Sequence, residues 1–266
     1  MGYTTKTFRP SVINGDVSGV IQSNGSDKPF AAGDLLFDWH ELTIPNRSNA
    51  IVNGVVHVYG EDGAAAPNSD FFLIFAKSNN GVAPTSLGTV NDKPAAAFDL
   101  PDLLMNVVKF EGVGNTEGKL NMPNLGSSYY YMFGGGAGTN NSSGQSLPIV
   151  INPEPNRVDG TTKIYVAGIA GGAMDFSTGV LLNDASNVAD DAGTSLTVDG
   201  VDPRRHFRAG DTVHIHDSDT AIGTIASMTD TTIVLTSNNV GAIADNDEFM
   251  NDKPLTITLA FSDGKM

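Results

Sequence analysis

Between Arg208 and Asp263 the chain alternates apolar and polar residues in short runs that stop at Gly, Asn or Asp: RAGDTVHIHDSD, TAIGTIASM, DTTIVLTSNN and KPLTITLAFSD. Alternation over about five residues is the mark of a strand buried on one face, and turn residues at each stop predict a small antiparallel β module. Upstream, Asp34 to Pro45 and Ile51 to Tyr59 alternate in the same way. Asp70 to Lys77 is almost wholly apolar and short, which predicts a central strand buried on both faces rather than an eight-residue helix. Leu103 to Gly112, Ser128 to Phe133, Leu147 to Ile151 and Lys163 to Ile169 continue the series. The predicted fold is all-β: an antiparallel, jelly-roll-like β-sandwich with a second, smaller β-barrel-like module.

The same pattern divides the chain. Residues 1–34 are polar and read as an extended arm, with at most one short strand, that gains order by lying on a neighbour. Residues 35–182 are the sandwich, and the acidic, low-bulk stretch NDASNVADDAG reads as a linker into a small module over 183–253. Residues 254–266 hold one more strong strand. If that strand returns to pair with the 163–169 strand, the small module is an insertion. Asp27-Lys28-Pro29, Asp92-Lys93-Pro94 and Asp252-Lys253-Pro254 each precede a more apolar segment, and because proline biases its predecessor toward extended backbone, each reads as a strand-opening turn.

Composition agrees with a β fold. The 266 residues include 30 Gly and 13 Pro, and 40% are hydrophobic, enough for a sizeable core with many turns. Net charge is -15, and the only basic run is Pro203-Arg204-Arg205-His206-Phe207-Arg208. Nucleic acid is therefore not an expected partner, since phosphate contacts need a cationic face. There is no cysteine, which excludes disulfides and thiolate metal sites. Neither a signal peptide, a membrane span nor a myristoylation signal is read in the sequence, so the expectation is synthesis in a cytoplasm and no membrane partner.

Candidate chemistry is sparse. His214 and His216, two apart on a strand, share a face; with His206, Asp217 or Asp219 they have the ligand types of a metal site, but a solvated strand face explains them more simply. Asp190-Asp191 and Asp245-Asn246-Asp247-Glu248 are oxygen-rich loops without calcium-loop spacing, and turn chemistry accounts for them. Asp38, His40 and Glu41 flank Trp39, yet no GxSxG elbow supplies a nucleophile. Gly134 to Gly138 lacks the Lys and Ser of a phosphate loop. With Tyr129, Tyr130 and Tyr131 before it, that stretch reads as a surface loop with interface aromatics. Phe8 and Arg9 in the arm are the other interface candidates. No catalytic residue, metal ligand or cofactor is assigned, and the expectation is a non-enzyme.

The phrases DLLFDWHELTIPNRSNAIVNGVVHVYGEDG, DFFLIFAKSNNGVAPTSLGTVN and KIYVAGIAGGAMDFSTG resemble structural proteins on the heads of marine tailed bacteriophages. The later AGDTVHIHDSDTAIGTIASMTDTTIVLTSNN is similar to small barrel-like modules that recur in virion proteins. This resemblance, over about two thirds of the chain, implies a capsid decoration or cement protein on the virion surface, made in the host cytoplasm. It further implies the major capsid protein as partner and a homo-oligomer, with a trimer favoured. The alternatives are a tail or fibre component and a carbohydrate-binding, adhesin-like β protein, which calls for a concave aromatic platform.

Overall fold

In the computed structural model the described residues are 3–12, 30–46, 48–58, 70–95, 100–110, 119–122, 128–132, 148–154, 160–174, 176, 178–183, 188–216 and 220–262. Nearly all regular structure among them is antiparallel β, as the alternating patterns dictate. Among the described residues the one α-helix is the four-residue Leu100–Leu103, and a 3-10 turn spans Pro203–Arg205.

Two sheets make the sandwich. The first runs, in spatial order, β1 (Tyr3–Phe8), β16 (Leu255–Ser262), β3 (Ala50–Val58), β7 (Ser128–Met132) and β6 (Lys119–Met122), with β8 (Ile149–Val150) also on β3. The second runs β2 (Leu35–Pro45), β9 (Thr161–Ala170), β4 (Phe71–Lys77) and β5 (Leu104–Phe110). Strand β16 buries every second residue, and Leu255, Ile257, Leu259 and Phe261 meet Phe71, Leu73 and Phe75 of β4 in one core. The ring of Phe37 on β2 lies so close to β9 that a Cβ at Gly168 would stand 2.3 Å from it. Only glycine fits there, and that contact sets the spacing of β2 on β9.

The third sheet rolls up on itself. Its order is β10 (Val180–Leu182), β11 (Ser195–Gly200), β14 (Thr232–Leu235), β13 (Ala221–Met228), β12 (Thr212–Ile215) and β15 (Phe249–Asn251). A bridge between Leu181 and Glu248, with Leu182 N donating to Asp247 O at 3.0 Å, brings the two edges together into a nearly closed barrel. Closure removes the unpaired edges that an open sheet exposes. Val198, Val213, Ile222, Ile225, Ile233 and Phe249 fill the interior, a core separate from that of the sandwich.

Several expectations change. Strand β4 is buried on one face only, with Phe72 and Ile74 half-exposed; the strand covered on both sides is β9, because Leu87 and Leu103 close over its outer face at Ala167 and Tyr165. Strand β16 returns to the sandwich but pairs with β1 and β3, not with the 163–169 strand, whose two edges are already taken by β2 and β4. The acidic stretch before Gly193 is not a plain linker. Val188 bridges Ile243, and the Asn239 side chain accepts from Ala192 N and Gly193 N at 3.1 and 3.2 Å, so this stretch forms part of the barrel rim.

Of the N-terminal arm, residues 3–12 hold the one short strand the sequence allowed, ordered on this chain's own sheet, and residues 13–29 lie outside the described set. Strand β1 pairs with β16 over six residues, from Tyr3 opposite Ser262 to Phe8 opposite Ile257. Phe8 is 6% exposed, stacks on His40 with ring centroids 4.4 Å apart and meets Phe37 edge-on. A strand so polar is held by its ladder and this one anchor. Phe8→Ala should therefore lower stability by about 3 kcal/mol, the scale for emptying a buried aromatic site, as measured by urea denaturation; a loss under about 1 kcal/mol would mean that β1 is not part of the core.

Candidate functional site

Beyond Phe8 the chain turns off the sheet, and Arg9 becomes the link between sandwich and barrel. Its guanidinium grips the Asp211 carboxylate with both terminal nitrogens: Nη1 on Oδ1, and Nη2 on Oδ2 at 3.0 Å. Nη2 also donates to Lys253 O at 2.8 Å. The Asp211 side chain, 4% exposed, accepts two further bonds, from Arg208 N at 2.8 Å and Asn251 Nδ2 at 2.9 Å. Asn251 in turn donates to His206 O at 2.6 Å and accepts from Lys253 N at 2.8 Å. Val12 N donates to Asp252 O at 2.9 Å, so the segment after β1 is stitched to the strand that leaves the barrel. A forked guanidinium facing a carboxylate that is otherwise saturated is the geometry in which a buried ion pair offsets its desolvation.

Two histidines flank this junction. Burial, reinforced by the nearby Arg208 and Arg9, pushes His57 on β3 down to about 4. His206, 1% exposed, is likewise lowered to about 4, chiefly by burial and then by Arg205, with Asp202 acting in the opposite direction. Its Nδ1 finds no hydrogen-bond partner among the described residues. A neutral imidazole suits such a place, since a charged one would be desolvated beside arginines.

His214 and His216 are not on a solvated face. They are 7% and 8% exposed, and His214 lies opposite Met250, whose side chain belongs to the sandwich core. Alternation is interrupted by an irregularity in the β12 and β13 pairing at Val213 and His214, and the face turned from the barrel interior is covered by the sandwich. Among the described residues no three His, Asp or Glu side chains converge as a metal site; Asp217 and Asp219 lie outside that set.

The other candidate carboxylates are engaged in holding backbone. Asp38 accepts from Ser86 Oγ at 2.5 Å and Leu87 N at 3.0 Å, and Trp39 Nε1 donates to Thr85 O at 2.9 Å, so the pair pins the segment that covers β9. Neighbouring His40 is lowered by burial against Phe8. Glu41 pairs with Lys163 at 2.9 Å. In the oxygen-rich loops, Asp190 Oδ1 accepts from Gly241 N and Asp247 Oδ2 from Ala244 N, at 2.8 and 2.7 Å; Asp191 and Asn246 sit at φ of 57° and 65°. Glu248 receives both Thr178 N and Gly179 N at 2.7 Å. The Asp247 bond is a local turn of the kind Asp makes with its own backbone, whereas Asp190 and Glu248 hold backbone 51 to 70 residues away.

Of the interface candidates, Phe8 and Arg9 are consumed within the chain: Phe8 in the core, Arg9 on Asp211. Tyr129, Tyr130 and Tyr131 lie in β7, between β3 and β6, and not in a loop; their side chains and residues 133–147 are outside the described set. The sequence reading missed one feature. Glu154 accepts from Ser78 Oγ, Asn80 N and Gly81 N at 2.9, 2.9 and 3.0 Å beside an open cleft of about 490 Å³ lined by Lys77, Asp102 and Asn152. The Gly81 amide, first among these donors, holds its carboxyl below the usual range. No signal marked it, because the acceptor and its donors are more than 70 residues apart. No helix among the described residues is long and apolar enough to cross a membrane. No family model and no curated protein matches this chain.

Arg9→Met should destabilise the protein by about 3 kcal/mol, because it strands a buried carboxylate that keeps only two neutral donors; an unchanged urea midpoint would reduce the junction to a surface pair. The histidines set a pH dependence. The unfolded chain protonates them below about pH 6.5, whereas the folded chain holds His57 and His206 neutral down to about 4. Stability is therefore full above 6.5, falls as the pH drops toward 4, and has nothing further to lose from these two groups below that. Thermal melts across this range should show the decline, and His206→Gln should flatten it; an unaltered slope in that variant would remove His206 from the account.

Proposed function

We propose that this chain is a non-enzymatic structural protein of a tailed-phage virion: a decoration or cement protein that binds the major capsid protein at the head surface as a homo-oligomer, with three copies the favoured number. The observation that carries this reading is the use made of the polar groups. The side chains that chemistry would need, Asp38, Asp211, Glu154 and Glu248, each accept two or more bonds that fix a turn, a covering segment or the barrel on the sandwich. Such a molecule invests its carboxylates in shape. The resemblance of its strand phrases to phage head proteins supplies the setting.

The carbohydrate-binding reading stands second. The cleft beside Glu154 offers carboxylates and carboxamides to sugar hydroxyls, but among the described residues its lining brings no aromatic ring for a sugar to stack on.

Because β1 and Phe8 belong to the core, attachment to a particle cannot be tested by removing residues 1–28; that deletion would strip an edge strand, and Arg9 with it. The intact protein is the right probe. Purified chain should co-sediment with capsids stripped of their decoration and saturate at a fixed ratio to the major capsid protein, while Asp102→Ala with Asn152→Ala, aimed at the cleft, leaves that binding unchanged. Failure to bind stripped capsids at micromolar protein would sink the capsid reading. Loss of binding in the cleft variant would turn attention to a glycan.

A further inference from the structure

The barrel is electrically polar along its axis. Its three cationic side chains, Arg204, Arg205 and Arg208, fall in one five-residue stretch, and residues 180–251 contain no lysine. Strand directions place this stretch, between β11 and β12, at the end of the barrel nearest the sandwich, where the chain enters at Thr178 and leaves at Asp252. The connections after β10 and β14 lie at the opposite end. They carry Asp190, Asp191, Asp245 and Asp247 and are tied together through Val188 and Ile243.

We infer that these two ends form a head-to-tail contact between copies of the chain, the arginine loop of one barrel docking on the acidic rim of the next. The inference rests on the homo-oligomeric part of the reading above and names the surfaces that would build it. Several observations favour a second copy as the occupant. The chain carries net -15, so two copies repel broadly and least where cations gather, and the arginine loop is such a place. At about 0.15 M salt the screening length is roughly 8 Å, so long-range repulsion fades while contact pairs persist.

Both surfaces are preformed. Asp202, Asp211 and Asp252, which share the near end, are committed to Arg204, Arg9 and Lys253; Asp199 and Asp230 also lie there, and Asp230 acts on Arg204. Arg205 is exposed, its backbone N donating to Asp202 O at 3.0 Å within the turn. On the rim, Asp190 and Asp247 are fixed by backbone amides and Asp191 by Asn238 at 2.9 Å, so little side-chain freedom remains to be lost on docking. Val240, 62% exposed, stands in the same rim and supplies an apolar centre that a purely solvated loop does not need. Because the two surfaces differ, the contact is heterologous, and it closes as a ring when the rotation allows.

Charge exchange tests this directly. One variant carries Arg204→Glu with Arg205→Glu, the other Asp245→Lys with Asp247→Lys; thermal melts establish that each is folded. Light scattering after gel filtration at about 0.15 M salt should give an oligomer for wild type, the 27.8 kDa monomer for either variant alone, and a restored oligomer when all four substitutions are combined in one chain, which reverses the charges at every contact whatever the copy number. An oligomer from either variant alone would overturn the proposed contact and leave the homo-oligomeric reading standing. A folded four-substitution chain that stays monomeric would also overturn it. A monomeric wild type would remove both the contact and the homo-oligomer.

Discussion

The grip of Arg9 on Asp211 is the constraint on which the relation between the two halves of this protein depends. The barrel is inserted between β9 and β16, so both of its connections reach the sandwich at one end. Two flexible connections would let it swing. Arg9 removes that freedom because it sits immediately after Phe8, the buried anchor of β1, and reaches a carboxylate that the barrel has already saturated with Arg208 N and Asn251. The edge strand of one unit thus fixes the position of the other. Burial at this place, with the neighbouring arginines adding to it, explains why His57 and His206 are held neutral.

What was legible in the sequence was local. Period-two alternation identified β2, β3, β12, β13, β14 and β16, and the turn residues between them marked where each stops. What was not legible depended on partners far along the chain. Tyr3–Phe8 looked like part of an extended polar arm because only one of its six residues is buried; its partner, β16, lies some 250 positions away. His214 looked solvated because alternation alone gives two faces and says nothing of what covers the second; here the sandwich core, through Met250, covers it. The stretch before Gly193 looked like a linker because its own composition is acidic and small, yet the Asn239 side chain draws it into the barrel. The site proved harder to read than the fold for the same reason. Arg9 and Asp211 are 202 residues apart, and neither belongs to a motif.

With no cysteine and little helix, the structure relies on side-chain to backbone bonds to order its long connections. Asp38 fixes the segment at Leu87, Glu154 the turn at Gly81, Glu248 the barrel opening at Gly179 and Asn239 the rim at Gly193. Each brings a donor and an acceptor together over 45 to 75 residues and fixes a turn where backbone entropy would otherwise oppose order. This gives the acidic composition a second meaning. Part of the surplus charge is a solvated surface, and part is the set of acceptors that closes the loops.

The insertion also shapes how the two cores can fail. Met250 packs in the sandwich core while its neighbour Phe249 packs in the barrel, so a single strand, β15, serves both. Unfolding the barrel must withdraw Met250, release Asn251 from Asp211 and leave Arg9 facing an empty junction. The sandwich therefore loses contacts whenever the barrel opens, even though the barrel's interior is filled by its own residues. Two hydrophobic cores that share a strand and a buried ion pair are coupled in stability, and the coupling runs largely through the polar junction, because among the described residues the one apolar side chain of the barrel strands in the sandwich core is Met250.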